Sequence, residues 1–249
     1  MQVLECLAEA PDGTTVSAVA RRVGCGKGTV SKVLATLEAG RYVRQDRESS
    51  RFYLTWRLLA LAFGHADRAG VPRLFLPVLQ ELADETDELV HLALVDGDQV
   101  RFVAKAEGLG QRVRMLPMVG IWAPVHATAS GKVWLASLPD ERVAEIVRAQ
   151  GLPAVAPGTI TSLRALKDEL ARVRRQGYAI ADEELAEGGR ALAAAITNGG
   201  GVVGTVAISG PVFRLPLTRL RALAPRVRAA AERLSAMWPA HITVKEFAR

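Results

Sequence analysis

The stretch TVSAVARRVGCGKGTVSKVLATL, Thr15–Leu37, decides how the rest of the chain is read. It reads as two short helices around a tight turn. In the second, Val30, Val33, Leu34 and Leu37 recur at i, i+3, i+4 and i+7 and so fall on one face of a 3.6-residue helix. The opposite face carries Lys27, Gly28, Thr29, Ser31, Lys32 and Thr36, all short polar or cationic apart from the glycine. The first helix buries Val16, Val19, Ala20 and Val23 and stops at Gly24. Two such helices with Gly24 and Gly26 in the connection match a helix-turn-helix. A polar, cationic outer face is what a helix entering the major groove needs. An ordinary pair of antiparallel helices fits the same spacing, so the pattern alone leaves both readings open.

Charge favours the first. Among 249 residues there are 32 Lys and Arg against 26 Asp and Glu, a formal +6. Between Arg21 and Arg57 lie nine cations and three anions, so this segment carries the whole excess and the remainder sums to zero. A localised basic patch points to a polyanionic partner. Upstream, Gln2–Glu9 reads as a helix closed by Pro11-Asp12-Gly13. Downstream, Gly40 reads as a helix stop. Tyr42–Arg44 and Arg51–Leu54 then read as two strands joined by a polar loop. Three helices and a hairpin make a winged helix, with Arg44, Arg47 and Arg51 in the wing placed for phosphates or the minor groove.

From Trp56 to about Ala69 a further helix is expected, a linker and a dimer contact, or else a helix packed on its own winged domain. Beyond Arg73 the pattern becomes α+β. Helices are expected at Leu74–Glu85, into Ser137 from Pro124–Gly131, at Pro139–Gln150, at Ser162–Gln176 and at Leu217–Trp238 with a kink at Pro225. Strands are expected at Leu89–Asp96, Gln99–Ala106, Val113–Pro117, Tyr178–Asp182, Arg190–Ile196 and Val202–Ser209. The fold class expected is therefore α+β, an antiparallel sheet flanked by helices behind a winged helix-turn-helix. The domains are set at 1–55, a linker helix at 56–72, and 73–249.

Chemistry-bearing constellations are sparse. The two cysteines, Cys6 and Cys25, make neither a disulfide scaffold nor, with the four histidines, a zinc site, so no metal and no cofactor is expected. His91, in an apolar strand, reads as a satisfied core residue. His126 precedes ATASGK, a small-residue approach to a helix start that leaves backbone N–H groups open to an anion. Asp182-Glu183-Glu184 is read as a solvated run. No nucleophile elbow, P-loop or dinucleotide fingerprint is present. The two long uncharged runs, Met115–Gly131 and Ala191–Phe213, are broken by prolines and by Asn198-Gly199-Gly200-Gly201, so no membrane span is expected. With acids at Glu5 and Glu9 near the start, a cytoplasmic location is expected.

The order of elements resembles the IclR family of bacterial transcriptional regulators over nearly the whole chain. The resemblance rests on VSAVARRVGCGKGTVSKVLATLEAGRYVRQD, ETDELVHLALVDGDQVRFVAKAEG, VHATASGKVWLASLP, TITSLRALKDELARVRRQGYAIADEEL and VAISGP. It implies a winged helix-turn-helix, a linker helix and a GAF-like effector domain. Such proteins assemble as dimers or dimers of dimers on operator DNA and respond to a small-molecule effector. On that footing Lys27, Gly28, Thr29, Ser31, Lys32 and Thr36 form the reading helix, and Ser17, Arg44, Arg47 and Arg51 position it on phosphate. The effector pocket is expected at Met118, His126, Thr128, Ala129, Ser130, Gly131, Ala181, Asp182, Ala191, Ala193, Ala207 and Ser209. Three of these depart from the family pattern: Ala181 stands where Asp is common, Ala191 where Cys is common, and Ala207 where Ser is common. A larger, more apolar pocket is expected from them, suited to an aromatic or otherwise hydrophobic metabolite. The rival class is a metabolite-processing enzyme around Asp182, Glu184 and His126; a protein-docking module is a third.

Overall fold

A computed structural model describes residues 1–58, 61, 71–108, 110 and 122–238. The chain divides into two compact units, Met1–Ala69 and Gly70–Arg249.

In the first unit three helices, α1 (Gln2–Ala8), α2 (Val16–Val23) and α3 (Lys27–Ala39), precede a two-stranded hairpin of β1 (Val43–Gln45) and β2 (Phe52–Leu54). Thr15 caps α2 by accepting from the Ala18 N–H at 3.3 Å. Gly24 ends it at φ +67°, a left-handed turn that only glycine takes without strain. Val19, Val30 and Leu34 are fully buried together with Leu7, Val43 and Phe52; each such side chain contributes about 1.5–3 kcal/mol. Val33, expected in that core, is 38% exposed. The cover over α3 is narrow, so only Val30 and Leu34 face it squarely. Gly40 does end α3 as its C-cap, but with φ −75°, and the left-handed residue is the next one, Arg41, at φ +58°. Thr14 pairs with Phe52 in a bridge that ties the hairpin to the turn before α2.

The second unit is a six-stranded antiparallel sheet in the order β5-β4-β3-β8-β7-β6. The strands are β3 (Leu89–Asp96), β4 (Gln99–Glu107), β5 (Trp122–Ala123), β6 (Ala179–Asp182), β7 (Gly189–Thr197) and β8 (Val202–Pro211). One face carries Val90, Leu92, Leu192, Ala194, Val206 and Ile208. It packs under α4 (Val71–Thr86) and α8 (Leu217–Ala236). The other carries Ala93, Phe102, Ala181, Ala193 and Ala207 under α5 (Ala129–Ala136), α6 (Asp140–Gln150) and α7 (Leu163–Gln176). Because both faces are covered, β3 is apolar almost throughout rather than alternating. Ser162 caps α7 and Gly177 ends it at φ +77°. β5 has no counterpart in the sequence reading. The expected strand at Val113–Pro117 and most of the linker helix at 56–72 lie outside the described residues.

Candidate functional site

The outer face of α3 keeps Lys27, Gly28, Thr29, Ser31, Lys32 and Thr36 exposed, and Ser17 is exposed on α2. Gly26 is the N-cap and offers no side chain, so no side chain covers the first-turn amides of α3. A Cβ on Gly28 would meet nothing within 4 Å. The Thr36 hydroxyl donates to the Lys32 carbonyl at 3.0 Å. In the hairpin, the Arg44 guanidinium lies 4.6 Å from the Tyr53 ring centroid, and Arg47 is exposed. Asp46 holds the tip by accepting from the Ser49 hydroxyl at 2.8 Å and the Glu48 N–H at 3.0 Å. Those bonds keep its carboxyl below the usual range. Arg51 is engaged within the fold: its guanidinium donates to the Gly13 carbonyl at 2.9 Å and the Asp12 carbonyl at 3.3 Å, fastening the hairpin to the α1–α2 turn.

A cavity of about 80 Å³ lies on the α5 side of the sheet. Its floor is Ala181 on β6, Ala191 on β7, and Ala207 and Ser209 on β8, with His91 and Phe102 beyond them on β3 and β4. Ladder pairing sets this floor: Ala181 faces Ala191, which faces Ser209, and Ala207 faces His91. Its roof is Ala127, Thr128, Ala129 and Ser130, where α5 begins. The segment between β6 and β7 closes it with Leu185 and Ala186.

The roof is fixed by two devices. Thr128 caps α5, accepting from the Gly131 N–H at 3.1 Å while its hydroxyl donates to the Pro124 carbonyl at 3.1 Å. A Cβ at Gly131 would sit 2.3 Å from the Val125 Cα and carbonyl oxygen, so only glycine lets the incoming segment cross the helix this closely. Gly131 thus shapes the roof without lining the cavity. His126 does not line it either; its Nε2 lies 3.0 Å from the Pro153 carbonyl and holds the neighbouring loop. Ser130 is 2% exposed, and among the described residues neither its hydroxyl nor the Ala129 and Ser130 N–H groups have a partner. Two amides and a hydroxyl at a helix N-terminus therefore face an apolar space, an arrangement suited to a carboxylate.

Of the other expected pocket residues, Asp182 is drawn into an ion pair with Arg190 (Nε to Oδ1, 2.5 Å), and Ala193 is buried without lining the cavity. Met118 lies outside the described residues. His91, Phe102, Leu185 and Arg190 line the cavity without having been expected there. His91 was legible in part, since strand alternation puts it on the same face as Ala93; a segment without periodicity hides Leu185. Burial first, and the Lys105 cation second, push the His91 imidazole down to about 4 against an ordinary 6.5, so it is neutral near pH 7.

The acidic run is not solvated as expected. Glu184 is buried, and its Oε1 lies 2.6 Å from the Nζ of Lys132, itself fully buried. Glu169 (3.1 Å) and the Ile180 carbonyl (2.5 Å) complete the shell of that ammonium. Burial raises the Glu184 carboxyl above the usual range against the pull of Lys132. Glu183, at φ +55°, accepts from the Gly188 N–H at 2.8 Å. All three acids are thus engaged in holding the cavity's wall.

Residues 64–236 match the family described as bacterial transcriptional regulator IclR C-terminal, and residues 1–47 match the IclR helix-turn-helix domain. The chain belongs to the IclR family. It is 28% identical over 237 residues to the transcriptional repressor IclR of Escherichia coli K12, covering 94% of this chain and 86% of that protein. A crystal structure of the IclR regulator from Alicyclobacillus acidocaldarius superposes with a TM-score of 0.83 at 26% identity, covering 96% of this chain and 99% of the other. A second, an IclR homolog from Microbacterium hydrocarbonoxydans complexed with 4-hydroxybenzoate, has a TM-score of 0.75 at 25% identity and covers 91% of both chains. This IclR-family chain is a ligand-responsive, DNA-binding transcriptional regulator, not an enzyme. No helix among the described residues is long and apolar enough to cross a membrane.

Proposed function

We propose that the cavity of this regulator binds a small monocarboxylic acid with an apolar, preferably aromatic, body. The observation that carries the reading is the α5 start, with the Ser130 hydroxyl and two backbone N–H groups unpartnered among the described residues over an alanine floor. The carboxylate sits at that helix start and the body on Ala181, Ala191 and Ala207. The three alanines give apolarity more than size, because Phe102 and Leu185 occupy part of the space. An apolar cavity of about 150 Å³ accommodates benzene. At about 80 Å³, this one takes a ring when the Leu185–Ala186 segment yields. The Microbacterium hydrocarbonoxydans homolog with 4-hydroxybenzoate supports an aromatic acid.

On DNA, Lys27, Thr29, Ser31, Lys32 and Thr36 read bases, with Gly28 allowing close approach, while Ser17, Arg44 and Arg47 hold phosphates. A homodimer, or a tetramer built from two, presents paired reading helices to a palindrome in cytoplasmic DNA, as a repressor. The segment 56–72 links head and effector domain. The ligand acts by differential affinity for two states of the protein. A thermal-shift series tests the ligand class. Benzoate and 4-hydroxybenzoate raise the melting temperature, whereas glyoxylate does not. Stabilisation by small apolar-free acids alone contradicts the reading.

A further inference from the structure

One ammonium and two carboxylates lie against the floor of the cavity. Lys132 stands two residues beyond Ser130 in α5, and its side chain is wholly buried. Its three donors are spent on the Glu169 carboxylate at 3.1 Å, the Glu184 carboxylate at 2.6 Å and the Ile180 carbonyl at 2.5 Å. The same Oε1 of Glu184 accepts from the Asp182 N–H at 3.3 Å. The cluster therefore grips the peptides on both sides of Ala181, a floor residue. Leu185, the residue after Glu184, lines the wall.

The charges of this cluster do not balance. Glu169 turns its second oxygen to Arg172 at 3.0 Å, but that side chain is 63% exposed and screened by water. Glu184 is 7% exposed, and its Oε2 has no hydrogen-bond partner among the described residues. Around it, Asp182 on β6 is paired with Arg190 on β7, Glu183 accepts from the Gly188 N–H, and His91 on β3 is neutral near pH 7. Lys132 is thus the cation that acts on Glu184, and Glu169 the second anion. An orphan oxygen costs more on an ionised carboxyl than on a neutral one. Burial accordingly holds the Glu184 carboxyl above its usual range against the pull of Lys132. A ligand carboxylate at the α5 start adds one more negative charge where water screens little.

Resting on the monocarboxylate reading, we propose that the cavity takes its acid together with a proton, and that Glu184 receives it. The proton comes from solvent and settles on the Glu184 carboxyl, at the oxygen without a partner. Lys132 keeps its own protons and becomes the counter-cation of Glu169 and of the ligand. No net charge enters the interior. The complex holds more protons than the free chain, so affinity for the acid rises as pH falls, while the ligand itself stays ionised.

Calorimetric titration of the full chain with benzoate, in phosphate and in Tris, counts the protons, because the two buffers differ in ionisation enthalpy. At pH 6.5 the apparent enthalpies differ in the direction of proton uptake. Affinity rises about three- to tenfold from pH 7.5 to pH 6.5, the slope of about half to one proton per acid bound. In Glu184→Gln, neutral at every pH and still offering Lys132 an oxygen, the enthalpies coincide and the affinity is flat. Coincident enthalpies in the unsubstituted chain overturn the inference. So does an uptake that survives in Glu184→Gln, which places the proton on another group such as His91. Should that variant not fold, difference infrared spectra of the unsubstituted chain decide. The carbonyl stretch of a protonated carboxyl grows as benzoate saturates the protein at pH 6.5, and its absence overturns the inference. Binding without proton uptake removes this inference alone. If neither benzoate nor 4-hydroxybenzoate binds, the monocarboxylate reading falls, and this inference with it.

Discussion

His91 illustrates how burial in a cavity wall sets what one residue contributes to stability. Its imidazole titrates near 6.5 in an unfolded chain and at about 4 in the fold, because burial disfavours the charged ring. Between those values the unfolded chain binds more protons, so the stability this group contributes is complete above pH 6.5 and is lost as pH falls to about 4. The difference amounts to about 3 kcal/mol. Urea unfolding at pH 7 and pH 4.5 should therefore show a larger acid loss for the unsubstituted protein than for His91→Leu. Parallel losses would mean the ring is accessible to protons in the folded state. Arg51 makes the complementary point. By sequence it is one more cation in a basic wing, interchangeable with Arg47. Only the fold shows its guanidinium committed to the carbonyls of Asp12 and Gly13, residues far from it in the chain. Ser130 was legible for the opposite reason, since a run of small residues before a helix is a local signal.

At the scale of elements, local chemistry predicted most of what formed. The stops at Gly24 and Gly177 and the span of β3 were readable from neighbouring residues, whereas the side-chain caps at Thr15 and Ser162 came only with the fold. What was not readable depended on cover from elsewhere. Val33 follows the helical period yet lies exposed beside the α1–α2–α3 core. Glu184 reads as surface acid until Lys132, distant in sequence, is placed against it. That pair joins α5, which forms the cavity roof, to the segment that forms its wall. Lys132→Met would leave Glu184 with a buried charge that no described cation compensates, because the other charged side chain beside it, Glu169, is itself acidic and the Asp182 N–H at 3.3 Å is a neutral donor. The expected cost is about 3–5 kcal/mol, measured by urea unfolding. Lys132→Met combined with Glu184→Leu should recover much of it, as replacing both partners of a buried pair often does. A single variant as stable as the unsubstituted chain would show that the pair is not needed to hold the wall.

For the whole molecule, the charge pattern and the alanine floor divide the function between two units. All the net positive charge falls within Arg21–Arg57, in the first unit; the cavity lies wholly in the second. The sequence could foresee that division because charge clustering needs no tertiary information, whereas cavity shape depends on how six strands pair. The account's central claim is that a ligand held in the second unit governs how the first holds DNA. Footprinting on the DNA upstream of the protein's own gene, with and without 4-hydroxybenzoate and with Lys32→Ala alongside, tests it most directly. The account predicts a protected palindrome whose half-protection concentration moves on adding the acid. It also predicts that Lys32→Ala loses this site while retaining salt-sensitive binding to random DNA. Protection that is absent, or that stays unchanged with an acid bound in the cavity, would contradict it.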